Sequence, residues 1–437
     1  MINWRRPTIF ALLHLSGSKI PKYLKEIRKI EKFSEKEIKQ YQQRKLKKIL
    51  LYSWRNVPFY KKTLTEARVV VNGHVNLDNF SKIPFLTKDI IRKEGKNLYS
   101  REKRKGVYEN TSGGSTGEPV RFLQDKEYDE WNNATKLYFF NDIFGKKIGE
   151  PEINLWGSER DIYKNSIGLK ERAINYLYNR SFLNAFELDE EKLNNCVDTI
   201  NKKKPTSMWV YVESIEVLAK FIQKKDFEIH SPKFIITTAG TLYPQARRLI
   251  EKIFNCFVYD QYGSREVGPI AIECNEKSGL HEFFWMNYIE VINGKILITT
   301  YNNFSMPLVR YDIGDIGKEE KNYSCSCGLN NLKLKEITGR EISHFKKRGG
   351  GIIHGQYFIH QFYHKDWIKK FQIIQQNFDD IVFNVVLTGK RNEEDIAEID
   401  ERIRLIMGRQ CNIKWNIVKE IKPTKSGKYL YTVCRIL

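Results

Sequence analysis

Four clusters of residues in this chain have the types and spacing that phosphate and acyl chemistry need. The first is Thr111-Ser112-Gly113-Gly114-Ser115-Thr116-Gly117-Glu118-Pro119. Its glycines let successive N–H groups turn inward together, and its hydroxyls add donors, so the loop suits a polyphosphate. It lacks the Gly-Lys-Ser/Thr ending of a Walker A loop, and a plain Gly/Ser turn has the same composition. The second is Tyr262-Gly263-Ser264-Arg265-Glu266, where an aromatic ring can stack on a base and an acid can hold Mg²⁺ against a phosphate. The third is Arg310-Tyr311-Asp312-Ile313-Gly314-Asp315, with Gly339-Arg340 further on. An Asp in a turn after a strand can accept from both ribose hydroxyls, although Asp-Gly turns are common. The fourth is Lys422-Pro423-Thr424-Lys425-Ser426-Gly427-Lys428. A Lys on a Gly-containing loop can swing into a site and stabilise negative charge developing there; a solvated surface loop is the plainer alternative.

A fifth set is suited to a metal. Seven cysteines, an odd number in a long chain, favour reduced thiols over a disulfide framework. Cys274, His281, Cys325 and Cys327 make the three-Cys, one-His set typical of structural zinc. Four protein ligands leave no open position, so such an ion would cross-link loops and not react. The alternative is small buried hydrophobes, the role expected of Cys196, Cys256, Cys411 and Cys434. His354, His360 and His364 can be a second metal set, proton shuttles or ordinary hydrogen-bonded side chains, and receive no role. Trp156 and Trp285 suit either an acyl pocket or a core.

Elements must position these groups. The run Phe234–Thr238, the helical spacing of Ala246, Leu249, Ile250 and Ile253, and the run Phe257-Val258-Tyr259 predict a strand, a helix and a second strand. That order predicts a parallel crossover unit, whose ligands sit at the carboxyl ends of its strands. The tail predicts strands at Phe371–Ile374, Ile381–Leu387 and Asn412–Val418 and a helix at Glu393–Met407 with Ile396, Ile399, Ile403 and Ile406 on one face. The expected fold is therefore α/β. A large N-terminal domain, residues 1–338, has mixed and parallel sheets flanked by helices, and a small α+β domain spans residues 339–437. The length of 437 residues also argues for more than one domain.

Composition narrows the rest. Hydrophobic residues make up 41% of the chain, enough for packed cores. The net charge is +21, and residues 1–50 hold 14 Lys and Arg against four Glu, a local +10. This basic lead-in, residues 1–52, carries Tyr23, Leu24, Ile27, Ile30, Ile38, Tyr41, Leu46 and Ile49 at helical spacing. It reads as a solvated helical face or as attraction to an anionic partner. No recognisable nucleic-acid motif accompanies it, so nucleic acid is not expected. No stretch approaches the ~20 apolar residues of a membrane span. The expected location is cytoplasmic, and the apolar residues 8–15 leave open a shallow contact with the inner membrane surface.

Taken together and in this order, the motifs resemble the adenylate-forming superfamily. The branch they look most like is that of the phenylacetate–CoA ligases, in the form found in capsular-polysaccharide loci. The resemblance covers nearly the whole chain: NVPFYKK (56–62), IPFLTK (83–88), TSGGSTGEP (111–119), TTAGTLYP (237–244), DQYGSREVG (260–268), PLVRYDIGD (307–315), TGRE (338–341) and SGK (426–428). It implies that the 111–117 loop grips the ATP phosphates, that Gly240, Tyr262 and Gly263 surround the adenine, and that Glu266 binds Mg²⁺. It further implies that Asp315 holds the ribose, that Arg340 lies at a hinge, and that Lys428 bridges carboxylate and α-phosphate before the C-terminal domain rotates away. Zinc at the Cys/His positions fits the same resemblance. The product would be an acyl-adenylate of a carboxylic acid, passed to the thiol of CoA or to an amine or hydroxyl of a sugar or glycan precursor. Three departures stand out. Val120 follows Pro119 where many relatives have Lys, Glu341-Ile342-Ser343 replaces an acidic pair at the hinge, and Trp209–Ser214 lacks the branch's Gly-Tyr-Pro-Ser and is expected to line an altered acyl pocket.

Overall fold

The computed structural model describes residues 3–111, 120–157, 168–320, 325–338, 343–362, 365, 367–421 and 430–436. Its centre is an eleven-stranded mixed sheet. The strands are β1 (Glu152–Trp156), β2 (Arg180–Asn184), β3 (Ser207–Tyr211), β4 (Phe234–Thr238), β5 (Phe257–Ser264), β6 (Gly268–Glu273), β7 (Leu280–Glu282), β8 (Asn287–Ile292), β9 (Lys295–Thr300), β10 (Tyr311–Glu320) and β11 (Lys333–Thr338). Their order across the sheet is β8-β9-β10-β11-β7-β6-β5-β4-β3-β1-β2. The β2-β1-β3-β4-β5 half is parallel and the remainder antiparallel.

The predicted crossover stands: β4 and β5 pair in parallel from Phe257↔Phe234 to Asp260↔Thr237, joined by the helix Pro244–Phe254. Every residue of β4 is buried, as expected of a parallel strand covered on both faces. Ile153, Leu155, Met208, Val210, Ile235 and Val258 pack on one face with the helices Glu190–Lys203 and Val212–Lys225. On the other face, Phe234, Ile236 and Tyr259 meet the N-terminal helices.

The basic lead-in forms three of those helices, α1 (Arg5–Leu15), α2 (Ile20–Ile30) and α3 (Glu35–Asn56). Ser34 and Glu37 form a reciprocal capping box that starts α3. Tyr23, Leu24, Ile27 and Ile30 of α2 are buried, largely against α4 (Lys126–Tyr138), where Tyr23 stacks on Trp131 at 4.4 Å. The apolar stripe of the lead-in thus faces the protein core. On α1, Leu12 and Leu15 remain exposed. Among the described residues, no helix is long and apolar enough to cross a membrane.

The tail is a separate four-stranded sheet of β12 (Ile368–Gln375), β13 (Asp380–Leu387), β14 (Asn412–Ile417) and β15 (Thr432–Cys434), in the order β14-β13-β12-β15. The helix Glu393–Met407 buries Ile396, Ile399, Ile403 and Ile406, as its spacing predicts. The short strand Ile352–Ile353 pairs with Glu187–Leu188 of the large domain. The protein is therefore α/β, with a large domain of mixed sheet flanked by helices and a small α+β domain at its C-terminus.

Candidate active site

The carboxyl ends of β1, β3, β4 and β5 open onto one cavity of about 480 Å³, within the range of small-ligand sites. Gly240, Tyr262, Gly263, Glu266 and Asp315 all line it, although they come from three separate motifs. Trp156 and Trp209 line it as well. Trp285 instead is core, with its indole N–H donated to Thr135 Oγ1 at 3.0 Å.

Gly240 follows Ala239, which holds a left-handed φ of 66°. A Cβ at Gly240 would lie 2.1 Å from Glu213 Oε1, so no other residue fits without displacing that carboxylate. Burial pushes Glu213 up, but the imidazole of His354, 3.5 Å from its carboxylate, outweighs this and holds it below its ordinary pKa. At Gly263 the β5–β6 register shifts, and a Cβ would come within 2.8 Å of the Gly268 carbonyl.

Tyr262 donates its hydroxyl to Asp315 Oδ2 at 2.7 Å, which joins the second and third motifs directly. Glu266 is buried and accepts from the Tyr311 hydroxyl at 3.3 Å, with Lys88 Nζ 3.9 Å away. Lys88 was not singled out from the sequence, although IPFLTK was. Asp260, also on the wall, is pushed up to about 7 by burial and then by the neighbouring Glu273 charge.

Arg310 is a positioning residue. It holds φ 50° and is buried at the start of β10. Its guanidinium donates to both oxygens of Glu290 at 3.0 Å and to the carbonyls of Ser81 and Ile83 at 2.6 Å. The IPFLTK segment, and with it Lys88, is thereby locked to the strand that carries Asp315.

The Gly-rich loop sits on a hairpin. Tyr108–Thr111 pairs antiparallel with Arg121–Gln124, Thr111 opposite Arg121, and Tyr108, Asn110 and Gln124 line the cavity. Thr111 is buried at the root of the loop. Ser112, Gly113, Gly114, Ser115, Thr116 and Gly117 lie outside the described residues, as do Arg340 and Lys428.

Cys274, His281, Cys325 and Cys327 come together from two strand ends and a loop, their candidate ligand atoms all within 4.8 Å of one another. Cys327 Sγ lies 3.4 Å from His281 Nε2, and Cys274 and Cys325 sulfurs are 3.9 Å apart. His281 Nδ1 faces Asn331 Oδ1 at 2.9 Å, the partner that fixes the ring and leaves Nε2 for a metal. This donor set fits tetrahedral zinc. Of the other cysteines, Cys196 and Cys411 are buried, while Cys256 and Cys434 are only partly so. His354 and His360 line the cavity, and His364 lies outside the described residues.

Known proteins share this plan. The family model described as the CapK C-terminal domain matches residues 345–434. Protein CapK of Staphylococcus aureus is 25% identical over 433 residues, 95% of this chain and 92% of that protein. Phenylacetate-coenzyme A ligase of Thermus thermophilus is 22% identical over 338 residues, 71% of this chain and 72% of that enzyme. The solved structure of 2-hydroxyisobutyryl-CoA ligase with 2-HIB-AMP and CoA in its thioesterification state has the same fold, with TM-score 0.62 at 16% identity, covering 93% of this chain and 91% of that one. In sequence and in fold the chain is similar to CoA ligases of the phenylacetate–CoA ligase type, and its likeness to CapK runs nearly end to end.

Proposed function

We propose that this chain activates a carboxylic acid with ATP as an acyl-adenylate and passes the acyl group to the thiol of CoA. The observation that carries this reading is the convergence of Gly240, Tyr262, Glu266 and Asp315 on one cavity at the carboxyl ends of a parallel sheet. The names of the relatives support CoA as the acceptor: the phenylacetate and 2-hydroxyisobutyryl enzymes are both CoA ligases.

In the first step a carboxylate oxygen attacks the α-phosphorus, the bond to the bridging oxygen breaks, and pyrophosphate leaves. Both reactants are anions, so the site must offset charge before they meet. Lys428 does so between carboxylate and α-phosphate, and the N–H groups and hydroxyls of residues 111–117 do so along the β- and γ-phosphates. Glu266 is the carboxylate that would hold Mg²⁺, which supplies charge neutralisation on the phosphates; it is buried on the cavity wall, as that role needs. Asp315 accepts from the ribose hydroxyls, held by Tyr262, and Gly240 leaves room for the adenine. In the second step the thiol attacks the acyl carbonyl, the thiol proton is released, and AMP leaves. Residues 1–338 form the adenylating body and 339–437 the part that turns between steps, with Arg340 at the hinge. Cys274, His281, Cys325 and Cys327 would hold a structural zinc, which would cross-link the segments that carry them.

The likeness to CapK supports a role in surface-polysaccharide synthesis. Use of ATP and CoA supports a cytoplasmic location, and exposed Leu12 and Leu15 in the last turn of α1 suit contact with the inner membrane surface. Incubation with ATP and an acid, with hydroxylamine added, yields a hydroxamate if an adenylate forms. Replacing hydroxylamine by CoA or by an amino sugar then sorts thioester from amide; amide alone would replace CoA with an amine acceptor.

Gly240→Ala tests the glycine directly. The new Cβ pushes the Glu213 carboxylate into the cavity, and the KM for ATP rises about tenfold with the unfolding midpoint little changed. An unchanged KM would contradict the placement of the nucleotide.

A further inference from the structure

The cavity has two unlike sides. The β4–β5 side carries the nucleotide residues Gly240 and Tyr262, and the β1–β3 side is aromatic. Trp156 lies 4.6 Å from Tyr211 and 5.1 Å from Trp209, ring centre to ring centre. Lys136, on α4, projects into this aromatic part, its Nζ 5.2 Å from the Trp209 ring centre.

The Lys136 ammonium makes no hydrogen bond or ion pair among the described residues. The anions that it senses are already engaged. Asp129 accepts the Tyr108 hydroxyl at 2.7 Å, and Glu152 is paired with Lys146 and, at 3.0 Å, with Arg180. Burial pushes the Lys136 pKa down, and the like charge of Arg180 adds to this. An ammonium held among aromatic rings with no counter-charge is costly, whereas an anion arriving with a ligand would satisfy it.

We infer that the acid activated here carries a second carboxylate, which binds Lys136 at the aromatic end of the cavity while its first carboxylate is adenylated at the nucleotide end. This rests on the adenylating reading above. The rings of Trp156, Trp209 and Tyr211 then clasp the stem between the two charges. A monocarboxylic acid of equal length fits the same walls but leaves the ammonium unpaired, so the site discriminates against it.

The test uses pyrophosphate exchange with matched acids: pentanoate against glutarate, hexanoate against adipate, and cinnamate against its para-carboxy derivative. Wild-type protein should favour the dicarboxylate of at least one pair by about tenfold or more in kcat/KM. Lys136→Met should abolish or reverse that preference, Lys136→Arg should keep most of it, and both should bind ATP as wild type does. Exchange with the monocarboxylic acids at equal or higher efficiency, unaltered in Lys136→Met, would overturn this inference and leave the adenylating reading standing. A loss of ATP affinity in Lys136→Met would also overturn it, by assigning the ammonium to the nucleotide phosphates. Exchange with no acid of either kind would overturn both.

Discussion

Lys428→Ala should abolish pyrophosphate exchange while ATP still binds. Adenylation joins two anions, and the barrier falls only if positive charge is in place where negative charge develops. One such donor in a water-poor site is worth about 3–4 kcal/mol, roughly two to three orders of magnitude in rate. In the proposed placement the nucleotide is gripped by other residues of the cavity, Gly240, Tyr262 and Asp315, so its affinity should change little. A dissociation constant within a few-fold of wild type, with exchange lost, is the signature of a group that acts on the transition state. The second half-reaction gives an independent readout: preformed acyl-adenylate should still pass to the acceptor in Lys428→Ala, because the residue acts before that step. Wild-type exchange in the variant would refute the role.

Loss of the zinc site is expected to cost nearly as much, but in stability. Cys274 directly follows β6, His281 lies on β7, and Cys325 and Cys327 lie in the connection from β10 to β11. The sheet order runs β10-β11-β7-β6 here, so the ligands sit where chain order and spatial order part. An ion at this point would tie β7 to the β6–β7 and β10–β11 connections. The purified protein should contain one zinc per chain. Cys325→Ser combined with Cys327→Ser should lose it and lower the unfolding free energy by several kcal/mol, on the order of a structural zinc contribution partly recovered by the surrounding sheet, with a matching fall in the melting temperature. A strong chelator should reproduce the drop in wild type and leave the double variant unaffected. A zinc-free protein that melts at the same temperature with and without chelator would show these residues to be packing only.

What was legible in the sequence has a common physical reason. The crossover at 234–264, the helix at 393–407 and the stripe of the lead-in are long, periodic segments whose apolar spacing fixes both type and buried face. The motifs were legible only jointly, because each alone reads as readily as a turn or a solvated loop. Other features needed the fold. The strand Thr432–Cys434 is three residues long and exists only through its parallel pairing with Ile373–Gln375. Arg310 stood out only as part of its motif, and its burial and its pairing with Glu290 depend on distant segments; Lys136 did not stand out at all. The spacing of Tyr128, Asn132 and Lys136, four residues apart along α4 and all on the cavity wall, was the available signal for the last. The Tyr262–Asp315 hydrogen bond spans 53 positions and belongs to the folded sheet alone.

The central claim is that a carboxylate attacks the α-phosphate of ATP in this cavity. Exchange of labelled pyrophosphate into ATP measures that step alone, without regard to the final acceptor. With Mg²⁺ present, exchange should depend on adding an acid, stop when Mg²⁺ is chelated, and fall at least a hundredfold in Glu266→Ala, on the order of one lost transition-state interaction. No exchange with any carboxylic acid, in a protein that also fails to bind ATP, would contradict the account.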